Sequence, residues 1–117
     1  MRKDRLLKLA EFLETKQFNE EEKFDLNGWH YKDECGTIAC AIGWATTLFK
    51  KEKFELTDHD TPQYKRFWDW KAVEKFFSID SYEAEYLFLG SKYGKKDLNN
   101  PLAVAIRIRE FVKEKGE

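Results

Sequence analysis

The sequence predicts a mainly helical domain, a compact bundle of about five helices around a buried central helix, with room for one small β-hairpin. Three observations lead there. Apolar residues recur at helical spacing near both ends of the chain, the run from Thr37 to Lys50 is apolar or small on almost every face, and 37% charged residues stand beside 16% aromatic ones. So charged a chain is not a membrane protein, and so aromatic a chain is not a disordered one, which cannot bury enough apolar area to offset its ordering entropy. A length of 117 residues fits one domain, 1–117, with a real core.

The first helix runs from about Lys3 to Thr15, where Leu6, Leu9, Ala10 and Leu13 form one stripe, widened by Leu7 and Phe12. An irregular segment, Phe18 to Gly36, follows; it carries Phe24, Leu26, Trp29 and Tyr31 around an Asn27-Gly28 turn signal. So aromatic a loop is expected to wrap over the core. The second helix, about Thr37 to Lys50, is the expected central one. Its Gly43 sacrifices about 1 kcal/mol of helix propensity relative to alanine, which close packing would offset.

From Lys51 to Phe67 the pattern alternates. Phe54 and Leu56 fit a short strand, Thr57 to Pro62 a turn, and Tyr64 to Trp68 a returning strand. A third helix is expected from Trp70 to Phe77, with Asp69 as its cap. Asp80 and Glu83 read as a capping box opening a fourth helix through Phe88, stopped by Gly90. After a polar, basic loop, Ser91 to Asn99, Asn100-Pro101 starts a fifth helix that turns Leu102, Ala105, Ile108 and Val112 inward.

The net charge of −1, with lysine and arginine spread along the chain, argues against DNA or RNA as a partner. No stretch reaches the roughly 20 apolar residues of a membrane span, so no membrane partner is expected either. The start of the chain has no signal-peptide core, and Cys35 and Cys40 make no disulfide framework, so the expected compartment is the cytoplasm. Zinc would draw on Cys35, Cys40, His30 and His59, but the cysteine interval is wrong, and neither metal nor cofactor is expected. Cys35 with His30 would be the pair for nucleophilic chemistry, yet no orienting third group or oxyanion site is identifiable, so the domain reads as non-enzymatic.

The string Cys35-Gly36-Thr37-x-x-Cys40-x-x-Gly43-Trp44-Ala45 is the most distinctive motif. It resembles a group of small phage and bacterial proteins that share Cys-Gly-Thr-x-x-Cys-x-x-Gly-Trp-Ala. The likeness extends to Phe24-Asp25-Leu26-Asn27-Gly28-Trp29 before it and, after it, to Phe77 through Phe88, Tyr93, and Arg107 to Phe111. The resemblance implies a phage or prophage setting, hence a host-cell cytoplasm, more than a chemistry.

Physically, a glycine-threonine helix start presents free amides and a hydroxyl to an anion, although a simple cap is the commoner use of a Thr37 so placed, and Asp33 and Glu34 favour it. Trp29, Tyr31 and Trp44 offer stacking faces, and the loop holding Lys92, Tyr93 and Lys95 offers charge. The leading expectation is therefore a binding protein for a small anionic, nucleotide-like ligand, a host defence signal in a phage setting. Its site would comprise Trp29, His30, Tyr31, Gly36, Thr37, Trp44, Lys92, Tyr93 and Lys95. The alternative is an inhibitor or accessory factor that grips a host protein through exposed aromatics such as Trp68 and Trp70, and either role is compatible with a homo-oligomer.

Overall fold

The computed structural model describes residues 1–33 and 36–115, and of residues 31–33 and 36 the backbone alone. Five helices dominate: α1 (Lys3–Thr15), α2 (Ala41–Leu48), α3 (Asp69–Phe77), α4 (Ser81–Phe88) and α5 (Pro101–Lys115). Six short strands accompany them: β1 (Glu22–Phe24), β2 (His30–Asp33), β3 (Gly36–Ala39), β4 (Glu55–Leu56), β5 (Pro62–Tyr64) and β6 (Phe67–Trp68). The mainly helical fold with its buried central helix is as the sequence predicts.

Helix α1 buries Leu6, Leu9, Ala10 and Leu13 because these residues fall on one stripe of a 3.6-residue period. That stripe packs chiefly along α5, which turns Val104, Ala105, Ile108, Phe111 and Val112 inward. Leu102 is a correction, since it is 49% exposed. It sits in the first turn, where Asn100 accepts the Leu102 amide, before the helix reaches the core.

The expected capping box is present: Asp80 accepts the Glu83 amide at 2.8 Å and Glu83 accepts the Asp80 amide at 3.0 Å. Helix α3 begins without such a bond. Asp69 is its first residue, not its side-chain cap, and has a φ of 57°.

The segment from Phe18 to Gly36 is not wholly irregular: its described residues include β1, β2 and the first residue of β3. Strands β1 and β2 flank β3, β1 in parallel and β2 antiparallel, so that Thr37 pairs with Glu22 on one side and Lys32 on the other. The single hairpin expected after α2 is a three-stranded meander, β4-β5-β6, with Thr57–Thr61 as its first turn.

Helix α2 is the core of the bundle, with all residues from Ala41 to Thr46 buried. It begins at Ala41, four residues later than the sequence suggests, because Thr37 to Ala39 are committed to the ladder and Cys40 turns the chain in an extended conformation. Beside α2 lies an aromatic cluster. Phe54 and Phe76 stack at 4.3 Å with an interplanar angle of 4°, and Phe49, Tyr64 and Phe77 meet Phe76 edge-on or tilted. The Arg5 guanidinium stands 4.0 Å from the Phe76 ring and donates to the Phe76 carbonyl, while the Arg2 amide donates to that of Phe77. The start of α1 thus satisfies carbonyls that the end of α3 leaves open.

Candidate functional site

The loop from β1 to β2 is shaped by an Asx turn in which Asp25 accepts the Asn27 amide at 2.9 Å. The Asp25 amide donates to Ala39, and the Leu26 amide donates to Leu98, on the far side of the basic loop. The turn returns along the start of α2. There the Cys40 amide donates to both the Gly28 and Trp29 carbonyls, at 3.1 and 3.3 Å. Gly43 makes this approach possible: a Cβ there would overlap the Trp29 carbonyl oxygen and come within 2.7 Å of the Ala39 Cβ. The close packing expected of Gly43 is therefore present, and the loop's backbone fills the space.

With the loop so held, the Trp29 ring meets Trp70 at 4.8 Å, tilted by 58°. The two indoles form one wall of a cleft of about 250 Å³, completed by Leu26, Asn27, Gly28, Cys40, Phe88 and Leu89. Its lining carries no charged side chain, and the Asn27 amide is its principal polar group. Because the indoles touch each other, a flat ligand would lie against their outer faces, not between them. Burial pushes the Cys40 thiol up to about 11, so this wall of the cleft is an inert thiol at neutral pH.

The nine residues expected to form one site are only partly brought together. Trp29 lines the cleft. His30, the next residue, opens strand β2, with its Nδ1 3.1 Å from Asp60 in the β4–β5 turn. Tyr31 pairs with Ile38 in the ladder and Gly36 with Asp33.

Thr37 is not at a helix start. Its amide donates to Glu21 at 2.7 Å and it lies within β3, so the anion site expected at that corner does not form. Trp44 faces another part of the core: it packs on Phe18, lies under the Lys16 ammonium, and donates its indole N–H to Lys23. Cys35 lies outside the described residues.

The basic loop is anchored. The Tyr93 hydroxyl donates to the Leu87 carbonyl at 2.6 Å, and burial holds the phenol well above its ordinary range. Lys92 and Lys95 are exposed. Gly90, where the loop begins, packs beneath the Leu26 carbonyl and the Asn27 side chain, so the loop leaves from the rim of the cleft.

Of the cleft lining, the sequence names Trp29 alone as a site member; Trp70 and Asn27 are the most consequential of the residues it misses. Residues 29 and 70 sit on different elements, and no spacing rule links them. Asn27 was legible only as part of a turn.

Among the described residues no three His, Cys, Asp or Glu side chains converge on a metal-sized site, and no helix is long and apolar enough to cross a membrane. Compared with known proteins, the chain matches no protein-family model, no curated protein and no solved structure.

Proposed function

We propose that this domain is a non-enzymatic binding module that holds a small, ring-bearing, nucleotide-like ligand in the Trp29–Trp70 cleft. The observation that supports this most is the lining itself: two indoles and one side-chain amide around an uncharged recess of about 250 Å³. Such a recess suits a single flat heterocycle that stacks on an aromatic face and pairs its edge with an amide. An anionic group would project past the rim toward Lys92 and Lys95, the loop that leaves from Gly90. Thr37 has no part in this reading. In the phage setting that the Cys-Gly-Thr string suggests, the module would act by sequestering a nucleotide-derived defence signal.

A thermal-shift screen of nucleosides and of mono-, di- and cyclic nucleotides tests it. A ligand at a hundredfold excess over its Kd stabilises the fold by about 2.7 kcal/mol, which is readily measured. At least one compound should stabilise the wild type, and Trp70→Ala should remove the shift. Lys95→Glu should weaken it for phosphate-bearing compounds alone. A flat screen, with a host protein co-purifying through Trp68, would overturn the reading in favour of a protein-binding factor.

A further inference from the structure

The side chain of Trp68 is 54% exposed, yet its backbone is fixed on both sides. Strand β6 pairs it with Gln63 in β5, and α3 begins at the next residue. The indole forms part of an open groove of about 530 Å³ whose other walls include Thr57, His59, Thr61, Gln63 and Asp69. This groove is separate from the Trp29–Trp70 cleft, with which it shares no lining residue.

The turn beside Trp68 is rigidly built. The Thr57 hydroxyl accepts the His59 and Thr61 amides and meets the Thr61 hydroxyl at 2.8 Å. The Thr57 amide donates to Thr61, the Asp60 amide donates to Thr57, and the Asp60 carboxylate reaches His30 in the first sheet. On the opposite side, Asp69 is held at a φ of 57°, a conformation few residues with a side chain adopt. The side chains of His59, Gln63 and Asp69 hydrogen-bond no other described residue.

The groove therefore joins one flat apolar platform, with Leu56 as its one aliphatic neighbour, to an imidazole, an amide and the two carboxylates of Asp58 and Asp69, on a surface that is already ordered. No lysine or arginine lines it, which disfavours phosphate-bearing ligands. Nor does it resemble the core of a protein interface, which surrounds its aromatic anchor with further apolar side chains. Here the neighbours of the indole are almost all hydrogen-bonding groups. A sugar ring has the complementary form, an apolar C–H face bordered by hydroxyls that both donate and accept. We infer that the Trp68 groove is a second binding site, independent of the cleft, and that it takes a neutral carbohydrate with one ring stacked on the indole and hydroxyls paired to Gln63 and Asp69.

The test is a ¹H–¹⁵N titration that follows the indole N–H signals of the full chain. The probes are glucose, galactose, N-acetylglucosamine, maltose and cellobiose, each to about 50 mM, enough to saturate a site with a Kd in the millimolar range. At least one sugar should shift the Trp68 signal saturably while leaving those of Trp29 and Trp70 in place. Asp69→Asn, which keeps a residue tolerant of that backbone, should weaken binding severalfold. Trp68→Ala, at an exposed position, should leave the unfolding midpoint near that of the wild type and abolish the response of the Gln63 side-chain amide. A Trp68 signal silent to every sugar overturns the inference. So does a Trp68 signal that answers to adenosine or guanosine and not to sugars, or one that follows the cleft indoles.

Discussion

The backbone of Gly43 passes directly beneath the carbonyl of Trp29, leaving no room for even a methyl group between them. The central helix and the aromatic loop are thus fitted to each other at a single atom, and the cleft wall depends on that fit.

Gly43→Ala should for this reason lower stability, although alanine is the better helix former by about 1 kcal/mol. Overpacking of this kind costs typically about 1–3 kcal/mol, so the steric term decides the sign. Urea denaturation should show the loss, and the Trp29 indole signal should shift with it. A variant as stable as the wild type would mean that the loop moves away at little cost.

Asp80→Ala should destabilise by about 0.5–2 kcal/mol, the usual worth of an N-cap. Asp80→Asn or Asp80→Ser should restore most of the loss, because either side chain can accept the Glu83 amide. Equal losses in all three variants would assign the effect to the carboxylate's charge and not to the cap.

Cys40 should be unreactive in the folded state. In a Cys35→Ser background, labelling by a thiol reagent at pH 8 should proceed only as fast as the protein opens, and denaturant should accelerate it in step with unfolding. Burial raises the Cys40 pKa from 9.0 to about 11, so folding favours the protonated thiol. Its contribution is complete below pH 9 and declines as pH rises through 11. Cys40→Ala should flatten that alkaline loss.

The pair joining α1 to α5 gives the opposite pH dependence. Arg109 donates two bonds to Glu14, each 2.7 Å long, and holds that carboxyl below its ordinary range. The pair then stabilises the fold above the ordinary carboxyl pKa and ceases to do so as pH falls through the depressed one. Its exposure limits the effect, and Glu14→Gln should cost under about 1 kcal/mol at pH 7. Below the depressed pKa, where the wild-type carboxyl is also protonated, the two proteins should unfold together.

Helices α1, α4 and α5 are legible in the sequence because periodicity and local capping agree there: the Leu6-Leu9-Leu13 stripe, the Asp80–Glu83 box and the Asn100-Pro101 start each mark an element unaided. The first sheet is not. Its strands are three or four residues long, and β3 runs through a single Cys40 into a helix of the same small, apolar character. The β-branched pair Thr37-Ile38 after Gly36 was the available signal for a strand, but the alanine-rich run beyond it outweighed that signal. The candidate site suffered from the same error. The sequence pattern puts Thr37 at a helix start that lies four residues further on, and Trp44, on the buried central helix, serves the other side of the core. The meeting of Trp29 with Trp70 is a tertiary event, produced by the Asx turn at Asp25 and the glycine at position 43. No local pattern could announce it.

The pairing of α1 with α5 also bears on how the chain is made. Leu6, Leu9 and Leu13 are wholly covered in the native domain, yet the helix that mainly covers them lies almost a hundred positions later, and Glu14 and Arg109 are 95 positions apart. During synthesis α1 leaves the ribosome with its apolar stripe bare and stays so until α5 has been translated. The entropy of closing so long a loop falls on the last step of assembly. Stalled or truncated chains lacking α5 should consequently be ready clients for chaperones and proteases, even with the central helix and both sheets already in hand.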